Sequence, residues 1–418
     1  MNFQSDTPQL PKARDYAPLS MALTMLGIPI YLYLPSFYAE HYGLSLTLIG
    51  IIMLITRSLD VITDPLIGQF SDRWAQKSSR FGLMLIAALG LIVSLKFLFF
   101  PTTASSTQLF VSISMVYLFW SVLQVNYMAI SADYTLESTL ISRLHSWREA
   151  LGVGGLLFIL VVPYSLELHP TETDFYHLFF LSFIVLLLLG LLFLYQLPKP
   201  CNRPQQQSSW HNIQSLRAKH PEAFQLFWPY FLNNLANAIP ATLFIVFVQN
   251  YLQLEAQAGL FLIIYFVTGI LVLPVWLALS RKLGRLQTWK LSMLVSSASF
   301  CLVFFLEPQD QNLYMIICIL TGLSFAVDLA LPASLQTSSV QSMQTKHSAS
   351  GLMFGLWGLI TKLSLAVAAA LSLPAFEWIQ NQLTADSNAL LWLYAAPAIC
   401  FKAFAIIWIQ RILKHSTN

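Results

Sequence analysis

The sequence predicts an all-α membrane protein with twelve transmembrane helices. Its 418 residues are 56% hydrophobic and only 10% charged, whereas about 25% of the residues in a soluble domain are charged. Apolar runs of about 20 residues, the length of a helix that crosses a bilayer, recur along the whole chain. A membrane β-barrel would instead show alternating segments of about 10 residues.

These runs define twelve predicted helices, at 17–39, 45–70, 81–100, 107–130, 146–166, 175–196, 223–250, 258–280, 287–306, 312–335, 348–373 and 388–412. Basic residues such as Arg73 and Lys282 follow the even-numbered helices, whereas acidic residues such as Glu40 and Glu307 follow the odd-numbered ones. The positive-inside rule therefore places both termini in the cytoplasm. No outward loop contains an Asn-x-Ser/Thr sequence, which favours a bacterial inner membrane as the plasma membrane concerned.

A polar segment divides the predicted helices into two sets of six. Residues 197–221, rich in Pro, Gln and Ser, are typical of a linker between the bundles 1–196 and 222–418. PLIGQFSDRW after helix 2 aligns with PVWLALSRKL after helix 8, and Pro65 falls opposite Pro274. Pseudo-symmetric halves are typical of transporters that hold a substrate near the midplane, although a proline before a basic loop could also coincide by chance.

Two motifs resemble a known family. GQFSDRWAQKSSRFG, at 68–82, resembles the G-x-x-x-D-R loop of the major facilitator superfamily, and DVITDP before it narrows the resemblance to the glycoside–pentoside–hexuronide:cation symporters, the melibiose-permease-like family. The resemblance implies the major facilitator fold and transport by alternating access. It also implies a gating role for Asp72 and Arg73, without contact to the substrate.

Two carboxylates lie inside predicted helix 2. Asp60 and Asp64 are one helical turn apart, and Arg57 lies on the same stripe. A charge at the bilayer centre costs about 2.5–3.5 kcal/mol on insertion scales, so each one needs a partner or a role. One Arg against two Asp leaves a negative charge for a bound Na⁺, which prefers oxygen ligands, or for a proton. We therefore expect a coupling cation site; an Asp–Arg pair that only pins the helix is the alternative.

Helices 1 and 4 depart from the family pattern. The resemblance implies acidic residues where this chain has Thr24 and Gln124. Gln124 is expected at the depth of Asp64, where its amide would contribute to both cation and substrate binding. Trp120, one turn before Gln124, is suited to stacking on a sugar ring or simply to packing.

Two basic residues are expected near the substrate. Arg148 in helix 5 matches a family arginine, with helix capping or a headgroup contact as the alternative. We do not expect it to pair with Glu149, because adjacent helical residues do not face each other. Lys362 in helix 11 matches a family lysine, and we expect it to pair with Asp60 or Asp64 in one state; the alternative is snorkelling to an interface.

The second half holds further polar residues at membrane depth. Asn233 and Asn237 share one face of helix 7, where their amides are suited to sugar hydroxyls or to joining helices. Asp328 and Lys402 lie at similar depths in helices 10 and 12 and could pair.

We therefore expect a monomeric, cation-coupled symporter for a sugar or glycoside, with Na⁺ or H⁺ as coupling ion, no cofactor, and the lipid bilayer as its surroundings. The alternatives are a carrier of lysophospholipids or similar amphiphiles, and a non-transporting protein of the same fold. The sequence contains no HExxH, GxSxG, CxxC or Walker-type motif, which argues against an enzyme. The net charge of +3 is too small to indicate a nucleic-acid partner.

Overall fold

Helices account for almost all of the described chain. This computed structural model describes residues 11–101, 105–134, 137–166, 168, 172–198, 217–218, 220–343, 350–381 and 388–417. The helices are α1 Ala13–Tyr16, α2 Leu19–Met25, α3 Leu34–Tyr42, α4 Leu46–Lys77, α5 Arg80–Phe99, α6 Ser106–Ala132, α7 Ser138–Ser165, α8 Thr173–Tyr195, α9 Pro221–Gln225, α10 Phe227–Val246, α11 Ala258–Leu283, α12 Arg285–Cys301, α13 Gln311–Met343, α14 Ser350–Asn381 and α15 Asn388–Thr417. There is no strand within these ranges.

Ten helical segments of the described residues are long and apolar enough to cross a membrane. Predicted helices 1 and 2 do not belong to that set. Predicted helix 2 is α4, a 32-residue helix that carries Arg57, Asp60 and Asp64 in its middle. The charges lower its hydropathy, although its length is ample for a span.

Predicted helix 1 is broken into pieces. The structure has α2, a π-helical turn at Pro29–Tyr33, and α3 in place of one continuous helix at 17–39. Pro29 begins the π-helical turn and Pro35 lies in the first turn of α3. Proline has no backbone N–H to donate, so the regular hydrogen-bond ladder is interrupted here.

The helix contacts divide the chain into two compact units. The first contains Met1–Gln214 together with Thr337–Leu359, and the second contains Ser215–Gln336 together with Ile360–Asn418. The end of α13 and the start of α14 thus belong to the first unit, although the sequence placed them in the second predicted bundle, 222–418. Most of the predicted linker at 197–221 lies outside the described residues.

Each unit has its own apolar core. The first core is rich in aromatic rings, and the ring centroid of Phe99 lies 4.6 Å from that of Tyr176 and 5.4 Å from that of Phe179. The second core includes Phe247 and Tyr394, which stack at 4.1 Å. Other apolar side chains point outward, as Leu271 does with 71% of its surface exposed. Outward-facing aliphatic surface of this kind suits a lipid environment.

Candidate functional site

The two carboxylates of α4 point into the protein. Asp60 is 5% exposed and Asp64 is 2% exposed. On the opposite face of the same helix, Leu59, Ile62 and Leu66 are 48%, 64% and 52% exposed. This division follows the helical period, so the charged stripe is buried while the aliphatic stripe is available to lipid.

Asp60 has a hydrogen-bond donor on α6. The hydroxyl of Ser121 donates to Oδ1 of Asp60 over 2.7 Å, and Ser121 itself is buried. A donor to an ionised carboxylate is worth more than one to a neutral group. Ser121 was missed at the sequence level because a single serine inside an apolar helix gives no signal of its partner.

Arg57 contacts an aromatic ring. Its guanidinium carbon lies 4.5 Å from the ring centroid of Tyr31, within the range of a cation–π interaction. Tyr31 belongs to the π-helical turn that breaks the first predicted helix. The turn therefore places an aromatic face beside the charged stripe of α4.

Trp120 packs among aromatic residues. Its ring centroid lies 6.1 Å from that of Tyr31 and 6.5 Å from that of Tyr117. These contacts are those of a packing aromatic, and stacking on a sugar stays a prediction. Gln124, one turn further along α6, is half-buried, and its role also stays a prediction.

Asp72 belongs to a buried network of charges. Nη2 of Arg80 donates to Oδ1 of Asp72 over 2.7 Å, and Nε donates to Oδ2 of Asp133 over 2.8 Å. The hydroxyl of Ser350 accepts from Arg80 over 2.7 Å and donates to Asp133 over 2.9 Å. Two carboxylates thus share one guanidinium, with a serine closing the ring of contacts.

Asp72 also holds the start of α14. The backbone N–H groups of Gly351 and Leu352 donate to its two carboxylate oxygens over 2.7 and 2.8 Å. These are among the first N–H groups of the helix, which have no partner within it and carry partial positive charge. Arg73, by contrast, is exposed, and the gating role of Asp72 and Arg73 stays a prediction.

The end of α13 is fixed to the same unit. Oγ1 of Thr337 lies 2.8 Å from Nε2 of His145, which is fully buried. The amide of Gln341 donates to the backbone carbonyl of Ser131 over 3.3 Å. Both contacts attach the last part of α13, which precedes α14, to the first unit.

The expectation that Arg148 does not pair with Glu149 was wrong. Nη2 of Arg148 contacts Oε1 of Glu149, and both side chains are largely buried. The directions of adjacent side chains diverge at Cβ, but two long side chains can converge at their ends. Thr24 lies close by on α2, where a Cβ atom on Gly152 of α7 would be 2.8 Å from its hydroxyl.

The predicted pairing of Asp328 with Lys402 is confirmed. Nζ of Lys402 lies 2.9 Å from Oδ2 of Asp328 and 3.0 Å from Oδ1 of Asn233. The hydroxyl of Ser292 donates to the other oxygen of Asp328 over 2.5 Å. Asn233 thus joins α10 to α15, as the helix-joining alternative expected. Asn237 is half-buried, and its contact with a substrate stays a prediction.

Lys362 lies in the part of α14 that belongs to the second unit and is half-buried. Its pairing with Asp60 or Asp64 stays a prediction. Within the described ranges, no group of three or more His, Cys, Asp and Glu side chains is arranged to hold a metal ion. Asp60 and Asp64 lie one helical turn apart on the buried side of α4, and a cation site there stays a prediction.

Residues 16–413 match the family described as MFS/sugar transport protein. The chain belongs to this family. The resemblance found in the two sequence motifs is thereby confirmed, and the family is one of transporters rather than enzymes.

Three curated relatives are similar to this chain. It is 23% identical to the uncharacterized symporter YnaJ of Bacillus subtilis over 394 residues, which cover 88% of this chain and 83% of YnaJ. It is 27% identical over 141 residues to the inner membrane symporter YicJ of Escherichia coli, covering 32% of this chain and 31% of YicJ. It is 29% identical over 132 residues to YagG of Escherichia coli, provisionally named a glycoside/cation symporter, covering 29% of this chain and 28% of YagG. The chain thus matches only about a third of the length of YicJ and of YagG.

Solved structures show the same fold. A bacterial homologue of the iron transporter ferroportin superposes with a TM-score of 0.72 at 14% identity, covering 97% of this chain and 100% of that one. The fucose:proton symporter FucP of Escherichia coli gives a TM-score of 0.65 at 14% identity, covering 95% and 97%. The predicted major facilitator fold is therefore confirmed.

Proposed function

We propose that the protein is a symporter that couples the movement of Na⁺ or H⁺ to the transport of a sugar or glycoside across the plasma membrane, by alternating access. One observation carries this proposal: two carboxylates one turn apart are buried on the inner face of a membrane helix. Buried acids in a membrane helix are costly, and they typically mark an ion pathway.

The surroundings of the carboxylates support binding of a cation. Asp60 has one oxygen held by Ser121, and the positive charge of Arg57 lies over an aromatic ring. A pair of buried carboxylates supplies oxygen ligands for a small cation or an acceptor for a proton, and releases either one when the pocket changes its exposure.

The sugar part of the proposal rests on the family and on the relatives. The family is described as MFS/sugar transport, and YagG bears the name of a glycoside/cation symporter. In this proposal Thr24, Trp120, Gln124 and Arg148 of the first unit contribute to the substrate site. Substrate binding by Asn237 and Lys362 of the second unit stays a prediction from the sequence.

Uptake into proteoliposomes tests the function. Purified protein is assayed with radiolabelled mono- and disaccharides and with lysophospholipids, under an inward Na⁺ gradient, an inward H⁺ gradient, or neither. We expect a saccharide to accumulate only when one of the gradients is present. Accumulation of a lysophospholipid alone would replace the sugar by an amphiphile, and no flux under any condition would favour a non-transporting role.

Asp64→Asn is the decisive variant. It keeps the shape of the side chain and removes the charge, so we expect gradient-driven accumulation to fall at least 100-fold while exchange of substrate continues. Asp174→Asn, at an exposed position in the first turn of α8, is the matched control and should transport as the wild type does. Uphill uptake by the Asp64→Asn protein would reject the coupling role.

A further inference from the structure

The start of α14 lies unusually close to the backbone of α4. A Cβ atom on Gly351 would stand 2.4 Å from the carbonyl oxygen of Gly68, and one on Gly355 would stand 2.5 Å from the carbonyl oxygen of Asp64. Atoms in a packed interior do not come this close without repulsion. At these two positions only glycine permits the observed approach of the helices.

Gly358 differs from the other two glycines in what it faces. A Cβ atom there would lie 2.6 Å from Oδ2 of Asp64 and 3.5 Å from its Cγ, so the neighbour is a side-chain carboxylate rather than backbone. Asp64 is only 2% exposed. Its carboxylate therefore occupies the volume that any side chain at position 358 would take.

The same stretch of α14 is fixed at its first residues by the acid of the charge network. Asp72 accepts from the N–H groups of Gly351 and Leu352, and Gly358 follows two turns later. An α-helix rises about 1.5 Å per residue and is stiff over this length. The position of Gly358 against Asp64 is thus set by contacts about 10 Å away.

We propose that Gly358 is a positioning residue for the cation site, because its missing side chain sets the orientation of the Asp64 carboxylate. The inference rests on the proposed function. A methyl group at 358 leaves the backbone contacts at 351 and 355 intact and forces the carboxylate to rotate. Rotation withdraws one oxygen from a bound Na⁺, or moves the carboxyl group away from the place where it receives a proton.

The experiment measures cation binding by thermal stability in detergent. The melting temperature of the purified full-length protein is followed against NaCl at constant ionic strength, with choline as the replacement cation, and against pH from 5 to 8. A cation that binds the folded state raises the melting temperature once its concentration exceeds its dissociation constant, and the rise grows with the logarithm of the ratio of the two. For Gly358→Ala we expect the Na⁺ concentration at which the melting temperature begins to rise to be at least tenfold higher, or the midpoint of the pH response to move by about one pH unit.

Two further glycine variants separate positioning from general damage. Gly154→Ala in α7, where a Cβ meets nothing within 4 Å, should keep the wild-type cation response. In Gly355→Ala the new methyl group would overlap with the backbone carbonyl of Asp64. We therefore expect this variant to have a lower melting temperature both with and without the cation. A wild-type cation response in Gly358→Ala overturns the inference.

A double variant covers the case in which Gly358→Ala folds poorly. Asp64→Ala removes the carboxylate and leaves room for the new methyl group. We expect Gly358→Ala to cost melting temperature in the wild-type chain and almost none in the Asp64→Ala chain. Equal loss in both chains overturns the inference. The proposed function fails separately, if the wild-type protein shows neither cation-dependent uptake nor a cation response.

Discussion

At the scale of the residue, the site depends on which atom each carboxylate meets. Asp60 accepts a hydrogen bond from the hydroxyl of Ser121 on α6. The carboxylate of Asp64 lies against Gly358, in the space that a side chain there would fill. Asp72 accepts from the guanidinium of Arg80 and from two backbone N–H groups. The three buried acids of α4 thus have different surroundings. Asp72 is held by Arg80 and by two backbone N–H groups, so it is suited to holding structure.

Ser121 provides a residue-scale prediction. Ser121→Ala removes the donor to Asp60, and a hydrogen bond to a charged group is worth about 1.5–3 kcal/mol. We expect the cation dependence of uptake to shift by about tenfold or more, since the carboxylate loses the contact that orients it and about 1.4 kcal/mol corresponds to a factor of ten. The measurement is the half-saturating Na⁺ concentration, or the pH midpoint, of uptake into proteoliposomes.

Ser114→Ala is the control on the same helix. Its hydroxyl donates only to the carbonyl of Phe110 one turn earlier, so its removal should leave the cation dependence unchanged. If Ser121→Ala and Ser114→Ala behave alike, Ser121 does not tune the cation site.

At the scale of the element, single charges tie helices together inside the second unit. The contacts of Lys402 join α15 to α13 and to α10, and Ser292 adds α12. Lys402 and Asp328 are 1% and 3% exposed. A buried pair is costly to break but not always stabilising as a whole, because two desolvated charges offset much of their attraction.

The pair gives an element-scale prediction. Asp328→Asn or Lys402→Met alone leaves one buried charge without its partner, at a cost of about 3–5 kcal/mol. We expect a large loss of melting temperature in detergent for each single variant. The double variant removes both charges and should recover most of that loss.

Glu222→Gln is the control for this series. Glu222 is exposed near the start of α9, and its neutralisation should not change the melting temperature. If the double variant is as unstable as the single variants, the ion pair itself stabilises the unit. The loss in the single variants would then not come from an unpaired buried charge.

The sequence predicted a side-chain contact best where two residues lie at the same depth in the membrane. Asp328 and Lys402 lie at similar counts from the ends of their helices, and this was enough to pair them. Arg80 and Ser350 are 270 residues apart, and no count along one helix could bring them together. The pair of Arg148 and Glu149 was missed for another reason, since the rule for adjacent residues describes Cβ directions and not the ends of long side chains.

At the scale of the whole molecule, hydropathy predicts the transmembrane helices, and the distribution of Lys and Arg predicts the orientation of the protein in the membrane. The apolar runs predicted the helices because a chain inside the bilayer has few other ways to hydrogen-bond its backbone N–H and C=O groups. The break at Pro29 was not anticipated, because a proline inside a membrane helix is tolerated in many places, as Pro65 is within α4. Orientation depends only on where Lys and Arg lie.

The predicted orientation can be tested residue by residue. The background is a chain in which serine replaces the four cysteines, Cys201, Cys301, Cys318 and Cys400. Four variants of it each carry one new cysteine at an exposed position. Two replace the acidic residues Glu40 and Glu307, and two replace the basic residues Lys77 and Lys282. A membrane-impermeant maleimide added to intact bacterial cells should label the first two and not the last two, because the basic ends of the helices remain in the cytoplasm. Labelling of all four after the membrane is permeabilised confirms that each is reactive. Since one member of each pair lies in each half of the chain, the opposite pattern would invert the whole protein, and a mixed pattern would require an odd number of spans between the halves.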